Sequence, residues 1–343
     1  MTTATKPTGV LLLQLGTPDS TDVGDVRSYL REFLSDPRVL DVPAPVRGFL
    51  LNAIILPFRP RRSAEAYEKV WTDEGSPLII HTAALRDKVQ ERLGDGYRVE
   101  FGMRYKNPSI ESALKSLLAS GADRLIVLPL FPQYASASGG SAVAKTLELA
   151  ASQWNVPDIT TVGSFYDDPG FVGAVSAIAR PRIEEFAPDH VIFSFHGLPE
   201  KHVQKSDTTG DWCLQVDDCC ATINDANRFC YRAQAFATAR ALAADLGLDE
   251  GAYSTTFQSR LAGQKWIEPY TDKVLPKLFK AGVRKLAILT PSFTADCLET
   301  IEEIGIRGRN QWEALGGEEM LLVPCVNASD PWADAVADMV RRS

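Results

Sequence analysis

Continuous apolar runs that stop at glycine or proline recur along the chain and predict buried parallel strands. One run, Gly9–Leu15, stops at Gly16, and another, 189–195, leads into His196 and Gly197. A run without polar alternation is typical of a strand covered on both faces of a parallel sheet. Aligning the two runs places His196 where the first run has Leu15.

Each half of the chain then repeats a longer unit: a short strand that ends in arginine, a helical stretch, and a glycine turn into another strand. The first of these strands are Val99–Arg104 and Ser254–Arg260, and the later turns and strands are 121–129 and 282–290. Strands that alternate with helices indicate parallel sheets with helices on both faces. The pattern predicts an α/β fold of two similar doubly wound, Rossmann-like domains.

A length of 343 residues also suits two domains better than one core. We expect an N-terminal domain at 1–165 and a C-terminal domain at 166–343, facing a central cleft. In such folds ligands bind outside the carboxyl ends of the strands. The residues at the strand ends are therefore the first candidates for a functional site.

Charge and hydropathy bear on whether the chain binds nucleic acid, is secreted or spans a membrane. The chain has 36 basic and 44 acidic residues and a net charge of −8, which opposes a general affinity for nucleic acid. Met1–Gly9 lacks the apolar core of a signal peptide, and the longest oily run, Gly48–Phe58, is too short to span a bilayer. We expect a cytoplasmic protein. The sequence carries no signal for an oligomeric state.

His196 is one of four histidines and follows a predicted buried strand. The Gly-Leu-Pro turn after it would aim the imidazole at the cleft, and an imidazole can bind a metal or accept a proton near neutral pH. The alternative interpretation is a structural histidine whose hydrogen bonds only hold the turn.

Three acids form the second candidate set. Asp296, Glu299 and Glu303 are three and four residues apart, which places them on one face of a predicted helix. Opposite an imidazole they could hold a divalent metal and pass on protons. Alternatively, Asp296 and Glu299 form a capping box at the start of that helix.

Six segments resemble motifs of the ferrochelatase family, in the family's order and across nearly the whole chain. They are Leu13–Pro18, Phe101–Tyr105, Phe131–Tyr134, Ser194–Pro199, Phe257–Arg260 and Phe293–Thr300. The resemblance implies a metal chelatase of the lyase class that inserts Fe²⁺ into protoporphyrin IX, forms protohaem and releases two protons. Ferrous iron and porphyrin are then its substrates in haem biosynthesis.

The resemblance also implies roles for the two candidate sets. His196 and Glu299 would be the catalytic pair that handles the iron and the protons, and Asp296 and Glu303 would continue an acidic path away from the porphyrin. Some family members have another acid one turn beyond Glu303. Here that position is Arg307, so the outer end of the path departs from the family pattern.

A porphyrin needs an apolar, aromatic cleft with cations for its propionates. The positions that match the family's cleft are Leu15, Tyr67, Tyr105, Tyr134 and Trp266, and the candidate cations are Arg59, Arg62 and Arg104. Each aromatic residue taken alone is more typical of a core. Relatives that act on coproporphyrin often have tyrosine at the position of Leu15, so leucine favours protoporphyrin.

Residues 46–62, which we call the lip, are oily and then basic. In the family this region covers the active site. We expect an exposed patch that makes peripheral contact with the inner membrane while exchanging porphyrin or haem. The alternative is an ordinary core helix followed by a loop.

Four of the six cysteines lie within the 18 residues from 213 to 230, the cysteine segment: Cys213, Cys219, Cys220 and Cys230. In a reducing compartment such a group indicates metal or redox chemistry. The vicinal pair is awkward for one tetrahedral zinc, whereas four thiolates can hold a [2Fe-2S] cluster at irregular spacings. A subset of bacterial ferrochelatases resembles this pattern and carries such a cluster. Zn²⁺ and free thiols remain the alternatives.

Other functions compatible with the motifs are a related chelatase for another tetrapyrrole or for cobalt or nickel, and, in a different class, a porphyrin carrier or an iron-sulfur sensor. A chelatase scaffold that had lost its activity would be expected to lose His196 or Glu299. Both residues are present.

Overall fold

The computed structural model of the chain describes residues 6–261 and 263–343. It contains two compact units, each built around a parallel four-stranded sheet with flanking helices. The first unit comprises the chain up to Leu130, Ser136–Gly163 and Ala333–Ser343, and the second comprises Phe131–Ala135 and Ser164–Trp332. This architecture confirms the predicted α/β class with two similar parallel sheets.

The first unit has the strand order β2-β1-β3-β4. Its strands are β1 (Thr8–Gly16), β2 (Tyr97–Tyr105), β3 (Arg124–Pro129) and β4 (Asp158–Thr161). Its helices are α1 (Val23–Ser35), α2 (Ala44–Phe49), α3 (Leu56–Glu68), α4 (Pro77–Leu93), α5 (Ile110–Ala119) and α6 (Ser141–Ala151), with π-helical segments at Leu50–Ile55 and Ser136–Gly140. Residues Val10, Leu11, Leu12 and Leu13 are fully buried because β1 is central and covered on both faces.

The second unit repeats this order as β6-β5-β7-β8, which confirms the internal repeat in the sequence. Its strands are β5 (His190–His196), β6 (Tyr253–Gln258), β7 (Lys285–Leu289) and β8 (Glu319–Leu322). Its helices are α7 (Pro169–Phe186), α8 (Glu200–Ser206), α9 (Tyr231–Leu246), α10 (Thr271–Lys280) and α11 (Arg309–Ala314), with a π-helical segment at Glu299–Gly308. A last helix, α12 (Asp330–Arg341), ends the chain.

The lip is helical along its whole length, through α2, the π-helical segment Leu50–Ile55 and the start of α3. It exposes Val46, Phe49, Ile54 and Phe58, the last to 78%. The alternative of a core helix followed by a loop is wrong for the basic run, which is helical. The oily part is divided, because Leu51 and Leu56 are buried whereas these four side chains are exposed. Among the described residues, no helix is long and apolar enough to cross a membrane.

Candidate functional site

His196 is the last residue of β5 and is partly buried. Its backbone N–H donates to Ser292 Oγ at 3.0 Å, and its Nδ1 lies 2.6 Å from the carbonyl oxygen of Gly197. Because a carbonyl can only accept, the hydrogen of the neutral ring is assigned to Nδ1. Nε2 then keeps its lone pair, which is the state that binds a metal or accepts a proton.

Gly197 allows the end of β5 to lie against the end of β6. A Cβ at this position would meet the Gln258 carbonyl oxygen at 2.6 Å and the Trp266 ring at 3.3 Å. The Gly197 N–H donates to the same carbonyl at 2.8 Å. In the first unit a Cβ at Gly16 would likewise meet the Tyr105 carbonyl oxygen, at 2.0 Å. A glycine that packs against the neighbouring strand thus follows both candidate residues, Leu15 and His196.

The three acids do not share a face of one α-helix. Glu299 and Glu303 lie on the π-helical segment, whose hydrogen bonds span five residues, and Asp296 precedes it. Asp296 caps no helix: its carboxylate accepts from Asn327 Nδ2 at 2.7 Å and from Thr300 Oγ1 at 3.0 Å. The capping-box interpretation is therefore wrong, because the π segment begins after Leu298 and has no side-chain cap.

Ser259 holds the carboxylate of Glu303 with two hydrogen bonds. Its backbone N–H donates to Oε1 at 2.7 Å, and its hydroxyl donates to Oε2. Ser259 has a φ of +64°, a left-handed conformation that is costly for a residue other than glycine. The strain at this residue accompanies a specific contact with a candidate site acid.

The pKa of Glu303 is raised and depends on the charges of other candidate site residues. Burial raises the pKa of the Glu303 carboxyl, the charge of Glu299 raises it further, and Ser259, His196 and Arg307 oppose this rise. The charges of His196 and Glu299 thus both act on Glu303. A carboxyl with a raised pKa can hold a proton closer to neutral pH.

Arg307 places a cation beside the outer acids. Its Nε lies 2.7 Å from Glu302 Oε2, and its Nη2 lies 4.0 Å from Glu303 Oε2. The Glu302 side chain is only 4% exposed. An ion pair therefore lies at the outer end of the predicted acidic path.

Gln258 and Ser292 lie at predicted strand ends, but the sequence predicts no individual role for either of them. Gln258 Nε2 donates to the backbone oxygen of Glu299 at 2.8 Å, and its Oε1 accepts from Ser194 Oγ at 2.7 Å. Ser292 and Asn327 contact His196 and Asp296 in the same supporting way. Gln258 and Ser259 do lie in one of the recognised motifs, but the partners of a polar side chain at a strand end depend on the tertiary fold.

The predicted porphyrin contacts differ in accessibility. Leu15 and Tyr134 are partly exposed, whereas Tyr67, Tyr105 and Trp266 are at most 8% exposed. The Tyr105 hydroxyl donates to Asp36 Oδ2 at 2.9 Å, and Arg104 Nη2 lies 2.9 Å from the same oxygen. Tyr105 and Arg104 thus belong to a polar cluster of the first unit.

Of the three candidate cations, Arg59 and Arg62 lie exposed on α3, whereas Arg104 is paired with Asp36. An exposed guanidinium can bind a carboxylate without first breaking an internal ion pair. The two arginines of α3 are therefore better placed than Arg104 to meet a carboxylate ligand.

The four thiols of the cysteine segment are buried together. Each is at most 6% exposed, and all four belong to one apolar cluster with Phe193 and Phe195. Cys219 Sγ lies 3.7 Å from Cys220 Sγ. Two thiolates on one tetrahedral metal, at bond lengths of about 2.3 Å, are about 3.8 Å apart, so this spacing suits shared ligation.

Two of these thiols, Cys220 and Cys230, do not ionise readily by themselves. Hydrogen bonding with Cys230 and burial raise the pKa of Cys220 far above its usual range, and hydrogen bonding with Cys213 together with burial raises the pKa of Cys230 to about 12. A bound cationic centre would favour the thiolates. In residues 6–261 and 263–343, no three His, Cys, Asp or Glu side chains are arranged around a single metal ion. Four buried thiols are soft donors of the kind that both zinc sites and iron-sulfur clusters use.

Asp207 anchors the start of the cysteine segment. Its Oδ2 accepts the backbone N–H groups of Trp212 and Cys213, both at 2.8 Å, and its Oδ1 accepts from Thr209. Burial opposes ionisation, but these hydrogen bonds outweigh it and hold the pKa of Asp207 well below its usual range. The carboxylate thereby fixes the backbone next to the first thiol.

Two like-ordered parallel sheets, with a histidine at a strand end and carboxylates beside it, define a chelatase-type fold. Solved structures agree: SirB from Bacillus subtilis with Fe³⁺ has a TM-score of 0.55 at 12% identity, covering 98% of this chain and 95% of that one. The sirohydrochlorin chelatase SirB from Bacillus subtilis subspecies spizizenii, in complex with cobalt, has a TM-score of 0.53 at 12% identity, covering 98% and 94%. At this identity the likeness concerns the fold alone.

Comparison of the amino-acid sequence with known protein families and relatives identifies the family of this chain. The ferrochelatase family model matches residues 7–343. A ferrochelatase of Coxiella burnetii (strain CbuK_Q154) is 48% identical over 335 residues, which are 98% of this chain and 93% of that protein. A ferrochelatase of Legionella pneumophila (strain Lens) is 47% identical over 334 residues, 97% and 98% of the two chains. The chain belongs to the ferrochelatase family, metal chelatases of haem synthesis, as its motifs predicted.

Proposed function

We propose that this chain inserts Fe²⁺ into protoporphyrin IX with His196 at the centre of the reaction. The observation that carries the assignment is the bond between His196 Nδ1 and the Gly197 carbonyl, which leaves Nε2 with its lone pair. The charges of Glu299 and His196 both act on Glu303 in the same unit. An imidazole next to two carboxyls can accept protons and ligate iron.

The reaction must remove two pyrrole protons and place the metal in the ring. In our proposal His196 Nε2 accepts a proton from the porphyrin, and Glu299 is its catalytic partner. Glu303 receives protons because its pKa is raised, and Asp296 supplies a further carboxylate. Bending the macrocycle to expose its nitrogen lone pairs costs on the order of 1–5 kcal/mol, which binding of the remaining ring offsets.

The porphyrin contacts are proposed on accessibility and residue type. Leu15 and Tyr134 are partly exposed and can touch the ring, and Arg59 and Arg62 can bind propionates. Tyr67, Tyr105, Trp266 and Arg104 would act by supporting these contacts. Leucine at position 15 favours protoporphyrin over coproporphyrin.

Anaerobic incubation of the purified protein with protoporphyrin and Fe²⁺ tests the proposal through the absorption bands of haem. We expect haem formation by the wild type, a loss of at least about 100-fold in His196→Ala and Glu299→Gln, and no change in the control His81→Ala. Haem formation by His196→Ala at the wild-type rate would contradict the mechanism. Insertion of Co²⁺ or Ni²⁺ without Fe²⁺ would indicate the alternative chelatase.

We further infer that Cys213, Cys219, Cys220 and Cys230 hold a [2Fe-2S] cluster. The four buried thiols and the 3.7 Å contact between Cys219 and Cys220 support this inference. Such a cluster exchanges single electrons and cross-links the segment that binds it.

Visible absorption, iron content and acid-labile sulfide of freshly purified protein test the cluster. We expect brown protein with about two iron and two sulfide per chain, loss of the colour in Cys219→Ser, and full colour in the control Cys325→Ser. Colourless protein with one bound zinc would overturn the inference.

We also propose that the lip rests on the inner-membrane surface. Phe49 and Phe58 are 63% and 78% exposed, and Arg59, Arg61 and Arg62 follow them on α3. Apolar side chains flanked by cations suit the boundary between acyl chains and anionic headgroups.

Sedimentation with vesicles that contain anionic lipid tests this contact. The double variant Phe49→Ser/Phe58→Ser should lose most of its binding, because it removes the two most exposed aromatics of the lip. Trp154→Ser is the matched control, since Trp154 is 99% exposed but lies outside the lip. Equal binding by the wild type and the double variant would contradict the proposal.

A further inference from the structure

The first turn of α9 is attached to the cysteine segment. Cys230 is the N-cap of this helix, and its Sγ accepts the backbone N–H of Ala233 at 3.5 Å. The adjacent backbone is also tied down, because Cys230 N–H donates to the Asn227 carbonyl at 2.8 Å. A thiol of the proposed cluster thus also determines where and how α9 begins.

Tyr231, the first residue of α9, extends from Cys230 to the backbone of His196. It is 6% exposed, and its hydroxyl lies near Ser292 Oγ and the His196 N–H without making a hydrogen bond of normal geometry to either. Ser292 Oγ meanwhile accepts the His196 N–H at 3.0 Å. Because this buried hydroxyl lacks a full hydrogen bond, a small shift of the helix start would change its contact with Ser292 and the His196 N–H.

Gln234 makes a second connection from the same turn. This side chain is fully buried, its Oε1 accepts the Tyr134 N–H at 2.6 Å, and its Nε2 donates to the Arg228 carbonyl at 2.6 Å. One residue side chain therefore ties the cysteine segment to Tyr134, the proposed porphyrin contact. Two neighbouring side chains of α9 reach two different proposed site residues.

We propose that the first turn of α9 couples the cysteine segment to the metal-insertion site, with Tyr231 as a positioning residue for His196 and Gln234 as a positioning residue for Tyr134. This inference rests on the proposed function of His196. A change at the thiols that moves Cys230 moves the Tyr231 hydroxyl relative to Ser292, and so alters the orientation of the His196 ring. The segment then acts on metal insertion without touching a substrate.

Tyr231→Phe tests the coupling because it removes one hydroxyl and leaves all four cysteines in place. Tyr253→Phe is the matched control: Tyr253 packs edge-on against Phe193 in the same unit. For Tyr231→Phe we expect unchanged visible absorption and a KM for protoporphyrin within about twofold. The kcat should fall by about three- to tenfold, because the polar group beside Ser292 and the His196 N–H is lost. The control should match the wild type.

NMR of the His196 imidazole nitrogens gives a readout that does not depend on activity. The protein is labelled with ¹⁵N-histidine, and the His196 resonances are assigned by their absence in His196→Ala. Tyr231→Phe should shift these resonances and their pH titration, whereas Tyr253→Phe should not. Cys213→Ser, at the far end of the segment, should shift them in the wild-type background and much less in the Tyr231→Phe background.

The outcomes separate this inference from the proposed function. If the wild type forms no haem, the proposed function is wrong. Haem formation by the wild type, together with kcat and His196 resonances in Tyr231→Phe equal to those of Tyr253→Phe, would overturn the coupling alone. If Cys213→Ser does not fold, the comparison of the two tyrosine variants still decides.

Discussion

The chemistry of His196 depends on neighbours that have no reactive group of their own. Its ring is oriented by the Gly197 carbonyl, its backbone is held by Ser292, and the following glycine packs on the carbonyl of Gln258. Because each contact is short and directional, the ring position should respond to changes that leave every reactive side chain intact.

Gly197→Ala is predicted to lower activity and stability together. The new methyl would lie 2.6 Å from a backbone oxygen, so the ends of β5 and β6 must separate, at a cost of about 1–3 kcal/mol. Urea unfolding and the rate of haem formation measure the two effects. In the control Gly173→Ala the methyl meets no atom within 4 Å on helix α7, so stability should hold or rise. Equal stability of both variants would contradict the prediction.

Asp36 makes the stability of the first unit depend on pH in the acid range. It is 7% exposed and accepts hydrogen bonds from Ser141, Tyr105 and the Arg38 backbone. Burial alone would raise its pKa, but these hydrogen bonds and the charge of Arg104 hold the pKa below the usual value of 3.8. Since the folded pKa is depressed, the stabilisation is complete above the unfolded pKa and is lost as the pH falls through the folded value.

Asp36→Asn should therefore destabilise the chain near neutral pH, by about 1–3 kcal/mol, and weaken the fall in stability below about pH 4. Urea unfolding at a series of pH values measures both effects. Asp95→Asn, at an exposed turn position of the same unit, is the control. An unchanged pH slope in Asp36→Asn would show that another group causes the acid sensitivity.

Among the elements, the π-helical segment Glu299–Gly308 departs most from the sequence pattern. Hydrogen bonds that span five residues change which side chains align, so Glu299 and Glu303 meet Gln258 and Ser259 instead of Asp296. The segment's outer part is held by Arg307, which pairs with the buried Glu302.

Arg307→Ala should destabilise the protein by about 1–3 kcal/mol, because it removes an ion-pair partner from a buried carboxylate. The pKa of Glu303 should rise further, since the arginine charge lowers it. Denaturant unfolding measures the first effect, and Arg307→Lys should restore part of it. Lys115→Ala, which breaks an exposed pair with Glu111, should cost less than about 0.5 kcal/mol. Similar losses in both alanine variants would contradict the argument.

Across the whole molecule, one topology is used twice. In each unit the central strand comes first along the chain, and the two strands beside it follow later. The exception to this order is α12, because Ala333–Ser343 belongs to the first unit although it ends the chain. Arg92 pairs with Asp334 there, and Arg341 donates to the Arg92 carbonyl at 2.6 Å.

Deleting residues 330–343 should prevent stable folding. The deletion removes four large side chains that are at most 4% exposed: Trp332, Val336, Met339 and Val340. Their burial contributes about 6–12 kcal/mol, which is comparable with the whole stability of a domain. Soluble yield and circular dichroism measure the outcome. Deletion of Arg342 and Ser343 alone, the control, should leave both unchanged, and a folded 329-residue product would refute the prediction.

The sequence by itself determined the fold class, the repeat and the family. Runs such as Gly9–Leu15 are apolar throughout because a strand covered on both faces leaves no polar position, so the pattern can be read locally. His196 could be placed at a strand end for the same reason. Six ordered motifs indicated a ferrochelatase, and the family comparison confirmed it.

Only the tertiary structure decided how the candidate residues are held. The spacing of Asp296, Glu299 and Glu303 predicted one helical face, but long-range partners, Asn327 and Ser259, hold the acids separately. Tyr231 next to Cys230 gave no signal in the sequence, because its neighbours Ser292 and His196 lie far from it along the chain. Local patterns encode burial and periodicity, whereas hydrogen-bond partners distant in sequence depend on the folded chain.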